Sequence, residues 1–336
     1  MRPSLTIRAW CAFVIATIMF AAGPWKDPSP HAVRFVAAEN NVRLEVLDWG
    51  GSGLPVVFLA GLGNTAHVFD DFAPKLGRGY HTYGITRRGY GRSSWAGSQF
   101  TGDRLTQDVL SVLNSLKVDR AVFVGHSFAG EELSALGSQY PSRVAGLVYL
   151  DAAYDRTAPG LMGISVITGR PVAPDAKDLA SFPALRAYWT HLGIALPEAD
   201  LHERFEANRD GSVGKPLAAA SVGAALVKSI QKPDYAHIQA SALAIYAIPH
   251  ELGPWVNMTD PAVRASVTDF EAAAEAQMQE FQRSVALAQI VNLPRSNHYV
   301  FLSNQTDVLR ELRGFLAQLN RKAEAAPRHG GPAQLD

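Results

Sequence analysis

Short apolar runs recur along this chain between stretches with helical spacing, and most of the runs are continuously apolar rather than alternating. VVFLA (56–60), HTYGIT (81–86), AVFV (121–124), GLVYL (146–150), ALAIYAI (242–248) and AQIVNL (288–293) are the main ones. A strand with one face in water alternates with period two, whereas a strand covered by helices on both faces does not. The pattern therefore predicts a mostly parallel sheet. Between the runs, residues 103–117 place Leu105, Val109, Val112, Leu113 and Leu116 on one helical face, with Asp103 and Asp108 toward solvent. Residues 130–140 predict a second helix, stopped by Pro141. Alternating strand and helix gives the α/β class with right-handed crossovers. Ahead of these, VRFVAA (33–38) and RLEVLDWG (43–50) read as an antiparallel pair joined by Glu39-Asn40-Asn41.

The rhythm breaks over residues 156–240, where helix-like pieces and Pro or Gly breaks occur without a convincing strand. An insertion between two sheet strands covers the strand ends, so a helical cap is expected there. It divides the core into residues 24–155 and 241–321. The tail 322–336 lacks apolar periodicity and reads as disordered. The first 23 residues form a separate unit. Arg2 and Arg8 flank the start of the apolar run AWCAFVIATIMFAA (9–22), and small residues Ala21, Ala22 and Gly23 follow. This reads as a secretory signal peptide, hence export to the periplasm or medium, and the run falls short of a membrane span. An uncleaved anchor is the alternative, and the only case in which a membrane would be a stable partner.

The 336 residues carry 31 basic and 31 acidic side chains and are 47% hydrophobic, which excludes a charge-driven nucleic-acid partner. Loss of Arg2 and Arg8 on cleavage leaves 29 basic against 31 acidic residues, about −2. Cys11 is the sole cysteine and lies within the leader, so neither disulfides nor thiolate chemistry is expected in the mature chain. His67, His250 and the other histidines show no paired ligand spacing, so no metal and no cofactor is read.

Chemistry concentrates in VFVGHSFAG, residues 122–130. A buried strand stops at Gly125 and must turn sharply at Ser127 into a helix, with small Ala129 and Gly130 allowing close approach. A serine there stands at the sheet's carboxyl edge beside a helix N-terminus, where N–H groups favour a developing negative charge. The plainer reading makes Ser127 a helix cap. His126 adjoins it and is expected to point away along the elbow. Glu131 and Glu132 read as acids meeting the first-turn dipole, and Arg87-Arg88 as a structural pair rather than an anion site.

Four segments in order resemble the α/β-hydrolase superfamily over roughly residues 33–320. FLAGLGNTAHVFDDFAP stands in place of an oxyanion loop, with Ala60 where a histidine is usual. GITRRGYGRSS is similar to D-x-R-G-x-G-x-S, with Thr86 for the aspartate. GHSFAG has Ala129 for the last glycine, and SNHYVFL is the fourth. The resemblance implies Ser127 as nucleophile, His298 after the last strand as base, and the backbone N–H groups of Leu62 and Phe128 as oxyanion donors. In many relatives the acid follows the strand after the cap, but His250 stands there in ALAIYAIPHELGPW, and Glu251 is the nearest carboxylate. Other relatives carry it one strand earlier, where Asp151 follows GLVYL. Asp151 is the expected acid, with Glu251 and Asp155 as alternatives. The implied reaction is hydrolysis of a small-molecule ester or lactone through an acyl-enzyme. A cofactor-free haloperoxidase, a carbon–carbon hydrolase, an acyltransferase and a non-catalytic ligand-binding protein remain open. Phe182, Tyr188 and Trp189 line either an apolar substrate pocket or the cap's own core.

Overall fold

A computed structural model describes residues 25–95, 100–161 and 173–325. Residues 1–23, for which a signal peptide is expected from the sequence, and tail residues 326–336 lie outside these. Eight strands form one sheet in the order β1-β2-β4-β3-β5-β6-β9-β10. They are β1 Ala32–Ala37, β2 Arg43–Gly50, β3 Leu54–Leu59, β4 Tyr80–Ile85, β5 Ala121–His126, β6 Val144–Leu150, β9 Ala242–Tyr246 and β10 Ala288–Asn292. β1–β2 and β2–β4 pair antiparallel, and every other pairing in the sheet is parallel.

The apolar runs are explained by what covers them. In β3, β5 and β6, Val57, Leu59, Phe123, Leu147 and Tyr149 enter one core layer, and Val56, Phe58, Val122, Val124, Val148 and Leu150 the other. Both faces are therefore buried, and each large apolar side chain so placed contributes roughly 1.5–3 kcal/mol. Helices α1 (Gly102–Leu116) and α2 (Gly130–Gln139) cover the first face. The cap's α3 (Phe182–His191) and the C-terminal α8 (Gln305–Ala325) cover the second.

The cap also contains α4 (Glu198–Arg204), α5 (Ala220–Lys228) and an antiparallel hairpin, β7 Phe205–Ala207 with β8 Val213–Pro216. The hairpin departs from the strand-free reading of 156–240. Its strands are too short to show a period, and the signal lay in the turn, where Gly211 has φ +85° and Asp210 Oδ1 accepts from Ser212 N (3.0 Å). Asp108 is buried rather than solvent-facing, because Arg88, also buried, closes on it with two bonds of 2.5 and 2.6 Å. Helix α8 runs on to Ala325, so 322–325 are helical rather than disordered; Lys, Ala and Glu are good helix formers. Beyond the cap, α6 (Pro261–Ser284) starts at an Asp260 cap with Pro261 in first position. It buries Val267, Ala274 and Phe281, one residue every seven, too sparse a stripe to stand out in the sequence. The short α7 (Val300–Ser303) precedes α8. Among the described residues no helix is long and apolar enough to cross a membrane.

The segment from Trp25 is tied down by charge. Asp27 and His31 meet His67 and Asp70: His67 Nδ1 lies 3.1 Å from Asp27 Oδ2 and 3.0 Å from Asp70 Oδ2, and His31 Nδ1 is 2.9 Å from Asp70 Oδ1. Glu45 stands 3.6 Å from the other His67 nitrogen. Burial lowers the affinity of His67 for a proton, but hydrogen bonds with Asp27, Asp70 and Glu45 outweigh it and push the pKa up to about 12. Asp27 and Asp70 are held below the usual carboxylate range by His67 and its neighbours despite burial. A raised histidine stabilises fully below its unfolded value of about 6.5 and loses that stabilisation as pH rises. Lowered aspartates stabilise above about 3.9 and lose it as pH falls. This cluster's contribution is therefore greatest between about pH 4 and 6.5. His67→Gln leaves buried carboxylates uncompensated, so it is expected to cost about 3–5 kcal/mol and to flatten the alkaline decline. Urea denaturation across pH checks this; an unchanged alkaline slope in His67→Gln would assign the decline to other groups.

Candidate active site

Four strand ends at the sheet's carboxyl edge deliver the site. Ser127 follows β5 with φ +52°, and Asp151 follows β6 with φ +47°, both left-handed conformations strained for a residue with a Cβ. His250 comes four residues after β9, and His298 follows β10. Small residues make the elbow possible. A Cβ on Gly130 would overlap the Ala152 carbonyl, so α2 can start against the Asp151 loop only with glycine there. One on Gly61 would lie 3.1 Å from Ser127 Cβ, which places the loop carrying Leu62 against Ser127. Leu62 is exposed and Phe128 buried.

Ser127 Oγ lies 2.8 Å from His298 Nε2, and His298 Nδ1 lies 2.6 Å from Asp151 Oδ2. The consistent arrangement has Nδ1–H donating to the carboxylate and the serine hydroxyl donating to Nε2. Asp151 is fully buried. Burial raises its affinity for a proton, but His250 and His298 more than reverse this and hold it well below the usual range. Glu251 lies on the cavity wall, and its backbone N–H donates to Ser296 O (2.8 Å). It is Asp151, not Glu251, that faces His298 Nδ1. Asp155 Oδ1 turns to Thr157 instead (2.5 Å).

Several supporting residues escaped the sequence. His126 does not point away: its Nε2–H donates to the His298 carbonyl (3.1 Å), and its ring packs on those of Tyr299 and His298. Burial, then the neighbouring His298, push it well below the ordinary imidazole range, so it is a neutral prop. Arg87 is buried against Glu132 (2.6 Å) and donates to Ala60 O (2.8 Å), tying the loop after β3 to α2. Glu132 thus serves an ion pair rather than the helix dipole alone. From the cap, buried Asp200 accepts from Asn64 Nδ2, Thr65 N and Thr65 Oγ1 at 2.8–2.9 Å, and Tyr299 O–H donates to Asn64 Oδ1 (3.1 Å). One polar chain thus links the cap, the loop after β3 and the residue after His298. Of these, His126, Glu132 and Arg87 were singled out in the sequence, the first two in other roles, whereas nothing there pointed to Asp200, Asn64 or Tyr299.

A cavity of about 370 Å³ opens onto Ser127 and His298, walled by Leu161, Ile194, Leu252, Trp255, Phe270 and Tyr299. Phe182, Tyr188 and Trp189 do not line it; Phe182 is buried in the layer under the cap, and the other two pack against that layer. Arg156 borders the cavity but is engaged by Glu131 (3.1 Å) and the Ser127 carbonyl (2.6 Å). Among the described residues, three groups gather metal-ligating atoms: Asp27, His31, His67 and Asp70; Asp151, His250 and His298; and Glu45, His67 and Glu203. The second is the hydrogen-bonded chain just described.

A family model described as "Alpha/beta hydrolase family" matches residues 56–312. Epoxide hydrolase A of Mycobacterium tuberculosis is 36% identical over 115 residues, 33% of this chain and 36% of that protein. The non-heme haloperoxidase of Rhodococcus erythropolis is 27% identical over 244 residues, 68% of this chain and 86% of that one. The chain spans only 27% to 37% of the length of the first curated relatives it matches. Among solved structures, E-2-(acetamidomethylene)succinate hydrolase superposes with a TM-score of 0.64 at 18% identity, covering 85% of this chain and 99% of that one.

Proposed function

Because this chain belongs to the alpha/beta hydrolase family, we propose that it is a serine hydrolase cleaving carboxylic esters or lactones through an acyl-enzyme on Ser127. The observation that carries the reading is the continuous chain Ser127 Oγ–His298–Asp151, with contacts of 2.8 and 2.6 Å. Ser127 Oγ attacks the acyl carbon as its proton passes to His298 Nε2. The N–H groups of Leu62 and Phe128 hold the resulting oxyanion, and His298 returns the proton to the leaving alcohol. Water, deprotonated by His298, then adds to the acyl-enzyme and releases the acid. Asp151 keeps the imidazole in the tautomer with Nε2 free and stabilises the imidazolium.

The relatives include proteins named epoxide hydrolase and non-heme haloperoxidase. Epoxide opening calls for an aspartate nucleophile, and residue 127 is serine. The haloperoxidase name favours a second reading, in which the same serine site forms a peracid by letting hydrogen peroxide replace water. The cavity volume equals the liquid share of about a dozen water molecules. Its apolar walls suit short uncharged acyl and aryl groups, and Arg156 is already paired.

A fluorophosphonate probe is expected to label the protein on Ser127, and Ser127→Ala to abolish the labelling. A screen of p-nitrophenyl esters, lactones and amides is expected to favour short uncharged esters. Preference for long-chain or charged substrates would overturn the substrate class. No labelling of the folded protein would favour a ligand-binding role on this fold.

A further inference from the structure

His250 occupies the place where many relatives carry the catalytic acid, yet it is a base, 7% exposed, and no step above uses it. Its two nitrogens face two carboxylates: Nε2 is 3.0 Å from Asp151 Oδ2, and Nδ1 is 3.1 and 3.2 Å from the oxygens of Glu271 on α6. A neutral imidazole has one N–H and would turn a lone pair on one of these anions; only the doubly protonated ring satisfies both. Asp151 Oδ2 therefore receives two imidazole N–H groups, from His250 and His298, while Oδ1 accepts from Tyr154 O–H at 2.6 Å.

We propose that His250 is a positioning residue of the active site: an imidazolium clamped between Glu271 and Asp151 that fixes the acid's carboxylate and tempers its pull on His298. The proposal rests on the serine-hydrolase reading for its catalytic part. The groups facing His250 are Asp151 and Tyr154 from the end of β6, Glu271 from α6, His298 from the loop after β10, Glu251 beside it in the chain and Arg156 across the cavity. Two anions are in direct contact, and Arg156 is held by Glu131. Burial pulls the His250 pKa down, but the charge of Asp151 and the bonds to Asp151 and Glu271 push it up to about 10. The two facing carboxylates thus favour the cation near neutral pH. A fixed positive charge on the far side of Asp151 opposes formation of a second imidazolium on His298.

The test pairs kinetics with spectroscopy. His250→Gln is expected to move the acid limb of kcat/KM for p-nitrophenyl acetate up by about one pH unit. The same substitution is expected to lower kcat about tenfold with KM nearly unchanged. Glu271→Gln, which removes an anion and leaves the His250 cation in place, shifts the limb the opposite way and by less. In the unsubstituted protein, ¹H–¹⁵N spectra of the imidazoles are expected to show His250 protonated on both nitrogens near neutral pH. A neutral His250 ring, or two folded variants with unmoved acid limbs, overturns the proposal. If the unsubstituted protein takes no fluorophosphonate label, the hydrolase reading fails, and the imidazole spectrum still decides whether the clamp exists.

Discussion

Ser127→Ala is expected to lower kcat for p-nitrophenyl acetate by about 10⁶, His298→Ala by a similar factor, and the double variant by no more than either alone. The reason is geometric. The serine hydroxyl and His298 Nε2 share one proton across 2.8 Å, and each is useless for attack without the other. Losses in such a unit do not add. The residual rate is expected to come from cavity binding and the proposed Leu62 and Phe128 donors. Single-turnover assays on the folded variants, with circular dichroism as control, provide the measurement. Rates within tenfold of the unsubstituted protein would move the nucleophile elsewhere, and multiplicative losses would break the pair into independent groups.

Asp151→Asn is expected to lower kcat by about 10³ to 10⁴ while leaving KM nearly intact. Asparagine keeps the shape, but one of its two terminal groups becomes a donor, and the oxygen facing His298 Nδ1 and His250 Nε2 can no longer carry a charge between them. His298 is then free to adopt the tautomer with Nε2 protonated, in which it cannot accept from Ser127. The companion variant Glu251→Gln is expected to change kcat by less than threefold, since His298 Nδ1 is already engaged by Asp151. Activity retained in Asp151→Asn and lost in Glu251→Gln would transfer the acid to the strand after the cap.

The sheet was legible because burial on both faces leaves a residue-level trace: Val56 to Leu59 or Val122 to Phe123 can be apolar throughout only if helices cover both sides. Ser127 and His298 were singled out for a similar reason, as each follows a strand run at a position where a sharp turn or late loop brings it to one edge. The supporting shell left no such trace. Glu271 is 21 residues from His250 and on another element, and Asp200 reaches Asn64 across 136 residues. Partnerships of this kind are set by tertiary packing, and no local spacing encodes them. Asp108 misled for the same reason, since its partner Arg88 lies 20 residues earlier, in the segment between β4 and α1. The hairpin at 205–216 was hidden by brevity, and its turn residues were the only readable part.

The reacting groups hang from the ends of sheet strands, whereas Leu161, Ile194, Leu252, Trp255 and Phe270 lie in segments outside the sheet. The two sets have separate structural supports. Exchange of the wall segments alters shape and polarity around a substrate without disturbing the register that sets the Ser127–His298–Asp151 spacing. Diversification of substrate range and conservation of reactivity can therefore proceed independently in a molecule built this way, and a library confined to Leu161, Ile194 and Trp255 would explore new substrates while sparing Phe270, whose ring packs on His250.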